Sequence, residues 1–193
     1  QIALALILSV GMGLMIRSLC RLSSEDVGFN RENLITFNVG LSSMNDTIRA
    51  QFSRNLLERL RALPNVQGAS SDSSMPCYPF GSSAVVTTEG YQSPNRKPRA
   101  YIHNISPGYF STMQIPFLRG RDISPAEHQK KDSVVILNEG LARMFWPDQD
   151  PTGRQLDFGR EQYQVIGVVA DMIQGNIKGD RPNHLFFPFN KVW

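Results

Sequence analysis

The chain opens on an unbroken apolar run. Residues 2–16 read IALALILSVGMGLMI, with Ser9 the one polar side chain and no charge. At about 1.5 Å per residue this run is about 22 Å long as a helix, short of an apolar bilayer core of about 30 Å. The pattern predicts the C-terminal part of a transmembrane helix over residues 1–22, anchored by Ile2, Leu4, Leu6, Ile7, Leu8, Val10, Leu14 and Ile16. Because the chain starts with Gln1 and stops at Trp193, it reads as a piece of a longer protein. A signal-peptide core and a buried all-apolar helix are the competing readings, but no small-x-small cleavage site follows. Ser9 and Gly13 lie four apart, a spacing that lets helices approach in lipid.

Beyond a polar linker (23–33), the periodicity changes. Residues 34–41 alternate, with Ile35, Phe37, Val39 and Leu41 on one face, and predict a half-buried strand. Asn45 or Asp46 caps a helix with a stripe of Ile48, Phe52, Leu56, Leu60 and Leu63, which Pro64 ends. A weaker strand is expected at 66–71. Residues 73–97 are rich in Ser, Pro and Gly and predict loops around a short strand at 85–89. Tyr101 to Ile105 predicts a strand, and Ser106-Pro107 the cap and first turn of a short helix. An apolar strand at 133–137 leads to Asn138, expected to cap a helix that stops before Pro147. Strands are expected at 155–158, 163–170 and 185–189. This order predicts an α+β fold.

Composition narrows the function without naming one. Hydrophobic residues make up 41% and charged residues 19% of the chain, as in a well-cored domain. The net charge of +3 is too small to indicate nucleic acid. The basic groups (Arg96, Lys97 and Arg99; Lys130 and Lys131) lie among acidic residues such as Glu127 and Asp132 and read as solvated faces. Neither a GxxxxGK[ST] loop nor a GxGxxG after a strand occurs, so ATP chemistry is expected elsewhere. His103, His128 and His184 form no metal-ligand spacing. His103 sits in a strand and reads as packed or surface-exposed; His128 lies in a charged stretch and reads as solvated. Serines around Asp72 form no nucleophile elbow, and Glu139 with Asp171 is an acid pair of a kind any domain contains. Cys20 and Cys77 match no zinc or CxxC pattern; a disulfide between them is formally open. No cofactor, metal or catalytic residue is expected.

Several segments in fixed order carry a resemblance: IRSLCRL, DVGFNRENLITFNVGL, FSRNLLERLRALPNVQGAS, HNISPGYFSTMQIPFLRGRDI, VVILNEGLARMFWPDQDPTGRQL, YQVIGVVADM and HLFFPF. Together they resemble the MacB-like periplasmic core domain of FtsX/MacB-class ABC-transporter permeases, in the flavour of the duplicated orphan permeases abundant in acidobacteria. The motif residues are Pro107, Gly108, Tyr109, Phe110, Gly120, Asn138, Phe145, Trp146, Pro147, Pro151 and Gly153. Their local readings are structural: Pro107 and Gly108 shape a helix start, Gly120 takes a positive φ, Phe145 and Trp146 anchor a helix on a sheet, and Pro151 and Gly153 make a turn.

The resemblance implies a porter-like β-α-β core (about 34–72 and 161–192) with a smaller inserted α/β subdomain (about 73–160), within a 34–193 domain outside the cytoplasmic membrane. It also implies a homodimeric permease, a cytoplasmic ATP-binding subunit, a periplasmic adaptor as a further partner, and a non-catalytic role in efflux, export or mechanical signalling. The positive-inside rule would set Arg17 and Arg21 in the cytoplasm, whereas the family arrangement sets them outside; the ordered motifs outweigh two charges. The alternative is a membrane-anchored extracytoplasmic sensory or binding domain, with a membrane-tethered hydrolase third.

Overall fold

The computed structural model describes residues 2–23, 27–41, 44–74, 81–91, 98–130, 133–173 and 182–189. Cys77, Arg96, Lys97, Lys131 and Asp132 lie outside these residues. The helices are α1 (Ile2–Ser23), α2 (Asp46–Arg61), α3 (Tyr109–Met113), α4 (Pro125–Lys130) and α5 (Glu139–Phe145). The strands are β1 (Ser83–Thr87), β2 (Arg99–Ile105), β3 (Phe117–Gly120), β4 (Val134–Asn138), β5 (Gln155–Phe158), β6 (Glu161–Val169) and β7 (His184–Pro188).

Six of the strands pair in a ring, β6-β4-β7-β2-β1-β5, and β5 returns to β6. The ring closes because β6 is long enough to be shared. Its first half pairs with β5 (Leu156 opposite Tyr163) and its second half with β3 (Gly120 opposite Gly167) along the edge facing away from β4. A register shift between Val135 and Ile136 on the β4–β6 ladder marks where β6 bends. Closure removes the free edges that an open sheet would expose.

Side chains alternate across each strand, so the ring sorts them into two cores. Val86, Ala100, Ile102, Val135, Leu137, Leu156, Phe158, Tyr163, Val165, Leu185 and Phe187 fill the interior, together with Leu141 and Phe145 of α5 and Trp146 just beyond it. The alternate positions Ile105, Ile136, Ile166 and Phe186 point outward and pack under Tyr109, Phe110 and Met113 of α3. Phe110 meets Phe186 edge-on at 5.0 Å.

Two elements leave the expected pattern. Residues 34–41 form no strand and join no ladder among the described residues, and the face expected to be buried is open: Ile35 is 87% and Phe37 57% exposed. On α2, Asn45 caps as expected, its side chain accepting from Ile48 N at 2.9 Å. Its buried positions are Ser53 and Leu57, however, and the stripe residues Ile48 and Phe52 stand exposed. The expected strand at 66–71 is reduced to an isolated bridge between Asp72 and Ile105. Pairing joins β6 and β7, expected in the core segment, to β1, β2, β4 and β5 of the expected insert, and not to 34–72.

Of α1, the side chains of Ile2, Leu6, Ile7, Leu8, Val10, Leu14 and Ile16 are all exposed; that of Leu4 lies outside the described residues. Among the described residues no helix is long and apolar enough to cross a membrane.

Candidate functional site

The polar chemistry of this domain gathers where two stretches of chain meet the barrel: 27–30, which follows α1, and 71–74, which follows α2. The second stretch runs antiparallel to the end of β2. Ser73 N donates to Asn104 O (3.1 Å), Ser106 N to Ser71 O (2.9 Å), and Ser71 N to the Ser106 hydroxyl (2.8 Å). Ser106 was expected to cap α3; its hydroxyl instead accepts from this distant strand. The cap position belongs to Gly108, whose φ of 82° is cheap only for glycine. Its carbonyl accepts from the hydroxyls of Ser111 and Thr112.

This pairing brings Asp72 against the barrel wall. His103 on β2 and His184 on β7 are fully buried on its outer face, beside Phe186. Asp72 Oδ2 lies 2.6 Å from His103 Nδ1, His103 Nε2 lies 3.0 Å from His184 Nδ1, and His184 Nε2 lies 3.2 Å from the Met172 carbonyl. The other carboxylate oxygen of Asp72 accepts from Ser74 N at 3.0 Å. Three bonds in series thus link a carboxylate to a carbonyl through two imidazoles.

Both ends of the series accept, so the protons can be placed by counting. The Met172 carbonyl cannot donate, so His184 Nε2 carries hydrogen. Burial, and then the neighbouring His103, hold the His184 pKa down to about 3, so its Nδ1 is bare and accepts from His103 Nε2–H. The third bond then needs a proton shared between His103 Nδ1 and Asp72. At 2.6 Å this is the shortest contact of the three.

The arrangement is not a serine–histidine–aspartate triad. A serine–histidine–aspartate triad needs the ring nitrogen remote from the carboxylate to face a hydroxyl, and that nitrogen of His103 faces His184. His103 is therefore packed, one of the two readings of its sequence. His128, expected to be solvated, is buried on α4, and burial lowers its pKa. Among the described residues no group of three or more His, Cys, Asp or Glu could hold a metal.

Beside this chain stands a second polar knot. Asn138 occupies the cap position of α5, with φ −82° and ψ 163°, but its side chain does not cap. Its Nδ2 donates to Asp171 Oδ1 (2.6 Å) and to the Pro182 carbonyl (3.0 Å), and its Oδ1 accepts from His184 N (2.8 Å). The helix end is bound by Asp171, whose Oδ1 accepts from Gly140 N at 2.8 Å. Asn138 thus ties β4 to β7, and a carboxylate 33 residues further along the chain does the capping.

The same stretch holds the chain leaving α1. Ile173 N donates to Val27 O (2.9 Å), and Asn30 N to Met113 O (3.1 Å). Gly28, at φ 84°, packs so tightly that a Cβ would overlap the Asp171 carbonyl oxygen.

The remaining motif residues sit away from this junction. Gly120 ends β3 with φ 70°, against the Ile166 carbonyl. Phe145 packs edge-on against Tyr91 at 4.8 Å, and Arg154 lies over Trp146 at 5.9 Å. Pro151 is buried, Pro107 and Pro147 are exposed, and Gly153 N donates to Val165 O at 2.7 Å. Tyr91, Trp146, Pro147, Gln149 and Arg154 line a shallow cleft.

Residues 2–193 match the family described as the MacB-like periplasmic core domain. The macrolide export ATP-binding/permease protein MacB of Aggregatibacter actinomycetemcomitans is 27% identical over 93 residues, 48% of this chain and 14% of its own. The probable syringafactin export ATP-binding/permease protein SyfD of Pseudomonas syringae pv. tomato is 30% identical over 91 residues, 47% of this chain and 14% of its own. The chain therefore spans 14% of the length of either relative. The crystal structure of the periplasmic region of MacB from Actinobacillus actinomycetemcomitans superposes with a TM-score of 0.53 at 17% identity, covering 72% of this chain and 55% of that one. At that identity the likeness is one of fold, and it agrees with the mixed α/β architecture. Ordered motifs, closed barrel and full-length family match converge: this chain belongs to the MacB-like periplasmic core domain family.

Proposed function

We propose that this chain is the extracytoplasmic domain of an ABC-type permease, anchored in the cytoplasmic membrane through α1, without catalysis of its own, and passing ATP-driven movement outward for export. The observation that carries this reading is the join between α1 and the barrel. An apolar helix with exposed flanks leads within a few residues into 27–30, which is hydrogen-bonded to 171–173 and wedged there by Gly28. A shift of α1 that reaches 27–30 would be passed to the barrel through these bonds. The family match and the export functions in the names of MacB and SyfD support the same reading.

In this reading the full protein is a homodimer that works with a cytoplasmic ATP-binding subunit and engages a periplasmic adaptor. The extended 34–41 stretch and α2 belong to a porter-like β-α-β layer, whose open apolar sides (Ile35, Phe37, Ile48) are covered by further chain of the whole protein. Arg17 and Arg21 then lie on the outer side of the membrane.

The test is a distance measurement in the full-length dimer reconstituted with its ATP-binding partner. Spin labels at Arg160→Cys, in the exposed β5–β6 turn and with Cys20 and Cys77 replaced by serine, should change separation on ATP binding. An unchanged separation would count against mechanical transmission. A change driven by a small ligand and indifferent to ATP would favour a membrane-anchored sensory or binding domain.

A further inference from the structure

We propose that the Asp72–His103–His184 chain is a proton-operated clip, closed by one extra proton and loosened when that proton leaves, that sets how firmly the 71–74 stretch is held on the barrel. The argument is the proton count. The series Asp72 Oδ2, His103, His184, Met172 O has three gaps, of 2.6, 3.0 and 3.2 Å, and an acceptor at each end. Two neutral imidazoles bring two hydrogens, so three bonds require a third proton. Without it, two lone pairs face each other across one gap in a site closed to water, and an unmade buried bond there is costly. Opening lets the rings bond to water, which removes the need for the proton. Closure and proton uptake are therefore linked.

The clip reaches both arms of the domain. At one end Asp72 sits within the paired stretch bearing the Ser73–Asn104 and Ser106–Ser71 bonds. At the other, Met172 lies between Asp171 and Ile173, which hold Gly28 and Val27.

Among the described residues, the groups around the chain leave the assignment to the histidines. Tyr101 stacks on His184 at 5.9 Å, Tyr109 lies beyond Phe186, and Asp171 adjoins Met172 while accepting from Asn138 and Gly140. Arg61 binds the Ala69 and Pro107 carbonyls on the flanking stretches. Phenols, carboxylates and guanidinium groups as classes titrate outside the range from pH 6 to 8.5, where imidazole does not. The sign follows: the closed form holds the extra proton, so the clip tightens as pH falls and weakens as pH rises.

The test is hydrogen exchange of the full-length protein in lipid nanodiscs from pH 6 to 8.5, corrected for intrinsic exchange and read at the amides of Ser73 and Ser106. One linked proton predicts an opening constant that rises with pH across this range, by up to about tenfold per pH unit. Asp72→Asn separates this proposal from a merely structural contact. The amide can donate to His103 Nδ1 and close all three gaps without an extra proton, so protection should persist and its pH dependence disappear. His128→Gln, which alters a histidine outside the chain, should keep the wild-type slope. A wild-type protection that is flat across the range overturns the proposal without recourse to any variant. So does an Asp72→Asn protein with the wild-type slope, or loss of the slope in His128→Gln.

Discussion

Single residues in this domain often serve partners far along the chain, and that decides which were legible in the sequence. Asn45 caps α2 because its target lies three residues on. Ser106 and Asn138 look like caps by the same local rule, yet each is drawn off by a distant strand. The real bond to the start of α5 comes from Asp171, which no local pattern announces. The histidine chain was hidden for the same reason: Asp72 and His103 are 31 positions apart, His103 and His184 81. One signal was available. Each histidine shares a strand face with a large apolar residue two positions on, Ile105 and Phe186, and a titratable group on a buried face needs a partner.

Glycines permit a direct test at this scale. Gly120 and Gly153 both have positive φ, 70° and 84°, but a Cβ at Gly120 would overlap the Ile166 carbonyl whereas at Gly153 it meets nothing within 4 Å. Gly153→Ala should cost about 1–2 kcal/mol, the price of the left-handed backbone alone. Gly120→Ala should cost clearly more, because β3 must also move off β6. Urea unfolding of the two variants compares them; equal losses would contradict the packing role of Gly120.

At the scale of elements, the regular pieces of the barrel were readable and the first layer was not. Strands such as β4 and β5 carry their own evidence, an apolar run or an alternation bounded by turns. Alternation at 34–41 predicted a half-buried strand that the structure does not form, since alternation carries no information on what pairs with the backbone or covers the apolar face. On α2 the stripe at Ile48 and Phe52 is open, while Ser53 and Leu57 face inward. β3 and α4 gave too short a signal to be expected, since a ladder on β6 and a reciprocal cap make them. In α4, Ser124 N donates to Glu127, whose N–H donates back to the Ser124 hydroxyl. The Arg121 guanidinium, ahead of the Ser124 bonds, holds the Glu127 carboxyl at a pKa of about 2.

If the open face is a docking layer, substitutions there should depend on context. Ile48→Ser should change the stability of the 193-residue chain by no more than about 0.5 kcal/mol, as at an exposed site. In the full-length protein it should cost about 1–3 kcal/mol through lost burial. Thermal unfolding of both proteins reads the difference. Equal effects in the two would remove the argument for a covering segment.

At the scale of the whole molecule, the barrel is the body to which two stretches, 27–30 and 71–74, are bonded at one junction. Its interior is apolar and filled, from Val86 to Phe187, with α5 packed into the same core. The polar work is done outside, where 27–30 and 71–74 are bonded to it. The order of motifs along the sequence was enough to indicate the family, although the closed ring could not be read from it. Ring closure depends on β5 and β3 sharing one edge of β6, a relation between strands that local patterning does not encode.

The central claim is that this domain faces outward from an anchored α1, against the expectation from Arg17 and Arg21. Intact cells carrying the full-length protein with the single cysteine Arg160→Cys should be treated with a membrane-impermeant maleimide. Labelling without lysis is the predicted result and would place the barrel outside the cytoplasmic membrane. Labelling only after lysis would place it in the cytoplasm and contradict the permease reading given above.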